Sequence, residues 1–244
     1  MLNDKIQIGT SGWHYFHWQG GFYPDDLPKT KWLTWYATHF SCVELNNSFY
    51  SLPRKETIRQ WVEQTPEDFI FAVKANRLIT HLKKLRNCKD ALERFMDTIA
   101  CFENKLGPVL FQLPPNWHVN AERLEDFLEI LPRGLGYAFE FRDTTWHGEK
   151  IYDLLSKYQI AFCLFNLAGY RSPETLTSNI VYIRLHGPAN AYCGSYSIES
   201  LKEWAQKICN WNAENRFVYL FFDNDQAGYA AENARMIRHL CSEL

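Results

Sequence analysis

Eight short runs rich in β-branched and aromatic residues alternate with helical patterns along the whole 244-residue chain, and no other feature restricts the fold as strongly. The runs are 6–10 (IQIGT), 42–46 (CVELN), 69–74 (FIFAVK), 108–113 (PVLFQL), 136–142 (GYAFEFR), 160–166 (IAFCLFN), 180–186 (IVYIRLH) and 217–223 (FVYLFFD). Helical patterns occupy 31–40, 54–64, 88–104, 121–131, 149–157, 198–211 and 229–241. Strands that alternate with helices call for a parallel sheet, because parallel neighbours need a crossover between them. A short polar stretch follows the sixth run, so the helix there is short or missing. Eight such units predict a single (β/α)8 barrel of the TIM type spanning 1–244. An open doubly wound sheet is the alternative, but it usually offers a glycine-rich phosphate loop after its first strand. Here that loop reads GTSGW and runs into aromatics, with neither GxGxxG nor GxxxxGK[ST] present.

Strand side chains alternate faces, so polar residues of one parity share one environment. Cys42, Glu44 and Asn46 share a face on the second run, Ala72 and Lys74 on the third, and Leu110 and Gln112 on the fourth. Ala138, Glu140 and Arg142 do so on the fifth run, Leu164 and Asn166 on the sixth, Tyr182, Arg184 and His186 on the seventh, and Tyr219, Phe221 and Asp223 on the eighth. The polar member falls at the C-terminal end almost every time. In a barrel that end carries the catalytic site, where inward residues converge. The pattern predicts a shared site built from Glu44, Lys74, Gln112, Glu140, Arg142, Arg184, His186 and Asp223.

The set balances three carboxylates against three cations, and interleaved opposite charges in a confined site hold one another ionised and rigid. Arginine's planar fork suits phosphate or carboxylate, so the expected ligand is a small anion. Divalent-metal sites gather carboxylates and histidines without cations among them, so no metal and no cofactor is expected. Glycoside hydrolysis needs two facing carboxylates. Glu44 and Glu140 offer such a pair, but the familiar barrel glycosidases use strands four and seven, which carry Gln112 and His186 here. His186 is the expected general acid or base, with Glu44, Glu140 and Asp223 as its catalytic companions. Ser11 in TSG is no GxSxG elbow, so a covalent serine mechanism has no support.

Two loops stand out. Residues 9–24, GTSGWHYFHWQGGFYP, hold six aromatics, two histidines and four glycines. In a barrel this is the long loop after the first strand, and loops of such length are commonly functional. Trp13 and Tyr15 are expected to face the cleft, with Asn46, Tyr50, His81 and Trp146 as further substrate contacts. Residues 74–89, KANRLITHLKKLRNCK, carry six cations and no acid. Such a run is usually a solvated face, but at a barrel mouth it attracts polyanions, which makes a nucleic-acid-binding or repair-associated protein the alternative to an enzyme, with a non-catalytic barrel serving as an interaction platform as the third reading. Trp32, Trp35, Trp61, Trp204 and Trp211 sit in helical patterns and read as helix–barrel packing.

A net charge of −2 excludes a generally basic nucleic-acid binder. Seven scattered cysteines without a CxxC pair read as reduced thiols, and the N-terminal stretch lacks a signal-peptide pattern. No apolar run approaches the ~20 residues of a membrane helix, so the expected location is cytoplasmic.

The blocks GTSGW at 9–13, FYP at 22–24, VELNNSFY at 43–50, FAVKANRLITH at 71–81, LFQLPP at 110–115, FEFRDTTW at 139–146, RLHGP at 184–188 and FDNDQAGYAAENA at 222–234 resemble the YecE-like family, domain of unknown function 72. They run through nearly the whole chain. The resemblance implies a (β/α)8 barrel and brings no defined reaction with it, so the enzyme class stays open among hydrolase, lyase and isomerase. The family pattern more often carries Asn where Asp223 stands and Asp where Asn166 stands, so a charge has moved from the sixth run to the eighth.

Overall fold

The computed structural model describes residues 4–244; residues 1–3 of the expected 1–244 domain lie outside the described residues. In chain order the elements are β1 (Ile6–Thr10), α1 (Trp32–Ala37), β2 (Cys42–Leu45), α2 (Asn47–Tyr50), α3 (Lys55–Glu63) and β3 (Ile70–Lys74). Then follow α4 (Lys89–Ile99), β4 (Leu106–Gln112), α5 (Ala121–Glu129), β5 (Tyr137–Glu140), α6 (Glu149–Lys157) and β6 (Ala161–Phe162). The chain closes with β7 (Leu164–Leu167), β8 (Tyr170–Arg171), β9 (Ile180–Leu185), α7 (Ile198–Ala213), β10 (Phe217–Phe222) and α8 (Tyr229–Glu243). A β7–β8 hairpin stands where the helix after the sixth run was expected to be short or missing.

The strands form two five-stranded sheets, ordered β2-β3-β4-β5-β6 and β1-β10-β9-β7-β8, in which every pairing but the hairpin is parallel. The fold is thus mixed α/β with parallel sheets. It departs from the expected closed barrel in that the two ladders are not joined into one. The sixth run changes sheets at Cys163, whose N–H still donates to Phe139 O on β5 (2.8 Å), while Leu164 onward pairs with β9. Between β1 and β2 a side chain stands in for the ladder. The Tyr36 hydroxyl accepts the Thr10 N–H (3.0 Å) and donates to Cys42 O (3.0 Å). Gly9 permits this approach, since a Cβ there would lie 2.4 Å from Cys42 O.

Helices follow the apolar periodicity. In α5, Leu124, Phe127 and Leu128 are buried at i, i+3 and i+4, and the Asn120 side chain caps the helix by accepting from the Arg123 N–H (2.9 Å). One apolar core reaches from Ile6 to Cys241, lying mainly between helices and sheets. A second, smaller cluster lies inside the sheets: Cys42, Ala72, Leu110, Ala138, Ala161, Cys163, Tyr182 and Phe221. These are the inward residues expected from parity on six strands. The sixth run is the exception. Ala161 and Cys163 face inward there, and Leu164 joins the outer core. Both faces of that run are apolar, so alternation could not fix its phase. The helix tryptophans Trp32, Trp204 and Trp211 are buried in packing. All seven cysteines are free. No helix among the described residues is long and apolar enough to cross a membrane.

Candidate functional site

One step above the inner apolar cluster, the same strand faces turn polar. Ladder bonds extend past the strand ends and fix these tips. Ser11 N–H donates to Phe222 O (2.8 Å), Leu113 N–H to Glu140 O (2.9 Å), His186 N–H to Asn166 O (2.8 Å) and Asp223 N–H to Leu185 O (2.8 Å).

Arg184 is the hub, with a side chain 1% exposed. Its Nε donates to both Glu44 oxygens (3.1 and 3.0 Å), and its Nη2 to Glu44 Oε1 (2.7 Å) and Asp223 Oδ2 (3.3 Å). Its Nη1 reaches Glu140 Oε2 (2.8 Å). Glu44 also accepts from Ser11 Oγ (2.7 Å) and the Tyr182 hydroxyl (2.7 Å). Arg142 Nε donates to Glu140 Oε1, and Arg142 Nη2 to His186 Nε2 (3.0 Å). An arginine can only donate, so His186 accepts at Nε2 and carries its hydrogen on Nδ1, which donates to Asp223 Oδ2 (2.9 Å). This makes His186 a neutral imidazole with both ring nitrogens engaged.

Burial alone would push the Glu140 carboxyl up, but Arg142 and Arg184 hold it well below the usual carboxylate range. Asp223 is likewise lowered: burial opposes ionisation, and the His186 hydrogen bond and Arg184 outweigh it. Burial and Glu44 push Tyr182 up, so it remains a donor. An ion network this deep contributes little net stability, because desolvation offsets the attraction, while losing one member leaves a buried charge unpaired. Its value is rigidity.

Lys74 differs. Among the described residues its Nζ has no ion pair or hydrogen bond; it lies over the Phe49 ring, 4.4 Å from the centroid. Burial and the nearby Arg184 lower its pKa to about 8, against the pull of Glu140, Glu44 and Asp223. His81 packs edge-on to the same ring (4.8 Å), and burial with Lys74, Arg77 and Arg142 lowers it to about 4. Asp223 keeps 15% of its side chain exposed and Arg142 9%, so both reach the mouth.

The long aromatic loop folds over one side of this layer. The Tyr15 hydroxyl donates to Ser11 O (2.5 Å), and burial with Asp223, Asp225 and Glu44 pushes its pKa up. Gly12 makes the tight turn possible: its φ is +106°, and a Cβ there would meet the Tyr15 hydroxyl at 2.9 Å. Trp18 is buried and donates to Asp225 Oδ1 (2.7 Å). Trp13 packs edge-on to Trp61 (5.2 Å), and both line a cavity of about 360 Å³ with Ser11, Tyr15 and Asn46. Asn46 donates to Ser11 O (3.4 Å), while its Oδ1 is buried without a partner among the described residues.

Of the residues expected at the site, the structure gathers Glu44, Lys74, Glu140, Arg142, Arg184, His186 and Asp223, with Tyr15, Asn46 and His81 at the edge. Gln112 stands beside Glu140 in register, but its amide donates to Leu113 O (2.9 Å). Two expectations need correction. Trp146 is 1% exposed, stacked on Phe141 (4.9 Å), with its indole N–H on Trp117 O (2.5 Å), so it belongs to the core. Tyr50 is 72% exposed and lines a separate groove with Leu52, Asn76 and Ile79. The one-turn α2 brings Phe49, not Tyr50, onto Lys74. Ser11, Tyr182 and Phe49 are therefore the residues that sequence reasoning missed. Tyr182 already had the inward parity, two residues before Arg184. In the basic stretch, Arg77, Lys83, Lys84, Arg86 and Lys89 are exposed and only Lys74 turns inward.

Comparison with known proteins gives the chain its relatives. The family described as "Protein of unknown function DUF72" matches residues 7–243. UPF0759 protein YunF of Bacillus subtilis is 27% identical, over 96% of this chain and 94% of that protein. UPF0759 protein YecE of Escherichia coli K12 is 36% identical, over 56% of this chain and 48% of that protein. The crystal structure of a DUF72 family protein from Thermotoga maritima superposes with a TM-score of 0.88 at 29% identity, covering 97% of this chain and 99% of that one. A DUF72 family protein from Enterococcus faecalis shares the fold, with a TM-score of 0.83 at 20% identity over 97% and 95% of the two chains. With the family model matched over residues 7–243, a span that holds both sheets and the ionic layer, the chain belongs to the DUF72 family.

Proposed function

We propose that the two sheets work together as a (β/α)8-type barrel and that the chain is a metal-independent enzyme acting on a small or terminal anionic, phosphate- or sugar-bearing substrate at the C-terminal ends of the strands. The observation that carries this reading is the buried ionic layer itself. A fold gains little stability from such a layer, and clustered, perturbed ionisable groups at strand C-termini are a signature of function. Each carboxylate of the layer is bonded to an arginine or to His186, which leaves poor metal ligands. Glu44, Arg184 and Glu140 form the rigid floor. Arg142 and Lys74 draw the anion to the mouth, Asp223 and His186 handle protons there, and Tyr15 and Trp13 wall the neutral part of the substrate.

The test has two steps. Thermal unfolding is measured with inorganic phosphate, small carboxylates and sugar phosphates, and then loss of each compound is followed by mass spectrometry. Stabilisation by an anion in the wild type, lost in Arg142→Gln, and turnover lost in His186→Gln are expected. Turnover that persists unchanged in His186→Gln, or no stabilisation by any anion, defeats the reading.

The exposed cations Arg77, Lys83, Lys84, Arg86 and Lys89 favour a second reading, a polyanion surface. Salt-sensitive binding of single-stranded oligonucleotides supports it, and no binding at low salt removes it.

A further inference from the structure

Six charged side chains make up the layer, and five are tied to one another by hydrogen bonds. Glu44, Glu140 and Asp223 carry three negative charges; Arg142 and Arg184 return two, and His186 is neutral. The layer therefore lacks one positive charge, which Lys74 supplies without being fastened to any carboxylate. Its stem rises from the tip of β3, its amine rests on the Phe49 ring, and it is partly open to the mouth.

An amine held this way is suited to more than attraction. A fastened ammonium is a poor nucleophile because the partner carboxylate stabilises the proton on nitrogen and so keeps the lone pair occupied. A loosely held, partly desolvated amine loses that proton readily and can attack a carbonyl carbon. We propose that Lys74 is an imine-forming nucleophile, and that the substrate carries an aldehyde or ketone beside its anionic group. This rests on the reading of the ionic layer as a substrate site and names the substrate class. The ammonium first releases one proton to solvent, and the Nζ–C bond forms as the carbonyl π pair moves to oxygen. The carbinolamine nitrogen passes a proton to that oxygen. A proton from solvent then returns to the hydroxyl, the C–O bond breaks with water leaving, and the nitrogen lone pair closes the iminium, so nothing is oxidised or reduced. The iminium bears one positive charge, so it meets the same deficit the ammonium met. The groups facing it are Arg184, Glu140, Glu44 and Asp223 from the layer, and His81, neutral at physiological pH, from the loop beyond β3. The depressed pKa of Lys74 agrees with this geometry.

Two probes test it on the intact protein. In the first, 2,4-pentanedione condenses with lysines at pH 7, and peptide mapping gives the rate at each. In the second, pyruvate, glyoxylate or dihydroxyacetone phosphate is added with sodium cyanoborohydride, which reduces any iminium to a stable secondary amine. Lys74 is expected to react at least ~10-fold faster than Lys83 or Lys84, since a pKa of about 8 in place of 10.5 raises the free-amine fraction more than ~100-fold near neutrality, and the weaker intrinsic nucleophilicity of a less basic amine takes back roughly 10-fold. It is also expected to carry the reduced adduct, which Lys74→Met abolishes. Equal pentanedione rates, or no Lys74 adduct with any of the three carbonyl compounds, overturn the proposal. Stabilisation by phosphate separates the two ideas. If it persists without an adduct, the anion site stands and the imine falls; an adduct without it reverses that outcome.

Discussion

The inner apolar cluster and the ionic layer occupy the same faces of the same strands, two residues apart. Cys42 precedes Glu44, Ala72 precedes Lys74, Ala138 precedes Glu140, Tyr182 precedes Arg184 and Phe221 precedes Asp223. Both layers are almost fully buried, yet they are held by different forces. The lower one is close-packed and gains from leaving water; the upper one gains only if every charge finds a partner. A loss of volume in the lower layer is tolerated in proportion to its size. Loss of a charge in the upper layer strands its neighbours.

That contrast is most severely tested by Arg184→Met, which leaves the Glu44 and Glu140 carboxylates buried without their main partner. We expect a loss of about 3–5 kcal/mol, against under ~1.5 kcal/mol for Phe221→Leu below it. Urea denaturation compares the two, and equal losses would erase the distinction between the layers.

Lys74→Met should act in the opposite direction. The folded pKa of Lys74 is lowered to about 8 from an ordinary 10.5. Folding therefore disfavours its ammonium; the penalty is fully present below pH 8 and fades as pH rises towards 10.5. The variant should be about 1–3 kcal/mol more stable at pH 7, with the gain vanishing above pH 10, while turnover is lost. A destabilised variant would show Lys74 to be a structural part of the layer.

Tyr182 spans both layers, its ring packed below and its hydroxyl on Glu44. Tyr182→Phe removes only the upper contact and should cost about 1–2 kcal/mol, read from the same denaturation curves.

The smallest effect belongs to Asp225, which holds Trp18 and pairs with His17 (3.0 Å) where the aromatic loop meets the segment after β10. Burial and Asp223 raise its pKa to about 6 from 3.8, against the pull of His17 and Trp18. Its carboxylate is thus disfavoured in the fold above pH 6, and the penalty disappears as the group protonates below that. Asp225→Asn keeps the acceptor for Trp18 but loses the His17 pair. A gain of about 1 kcal/mol or less at pH 7–8, shrinking towards pH 4, is the outcome expected from pH-dependent melting.

Much of this was legible in the chain. Strand positions and the inward parity of six strands followed from alternation, because a half-polar, half-apolar run has only one way to face a core. The membership of Glu44, Glu140, Arg184, His186 and Asp223 followed from parity plus position at the strand end. Partnership was not legible. Nothing local says that Arg184 serves Glu44, Glu140 and Asp223 together while Lys74 serves none, since these contacts join residues up to 140 positions apart. Trp146 and Tyr50 went astray because an aromatic in a loop carries no signal of burial until its neighbours are placed.

The loop at 9–24 marks the same boundary. Its glycines and aromatics required a pliable segment that packs rather than dangles, and that much is a property of the residues. Which ring does what depends on distant partners: Trp18 is claimed by Asp225, Trp13 by Trp61, and Tyr15 by the turn beside Glu44. Local chemistry determined the periodicity, the polar strand tips and the charge balance of this protein. Only the tertiary structure decided which charges neutralise one another and which one stands apart from the carboxylates, because desolvation and pairing act between segments the sequence keeps apart.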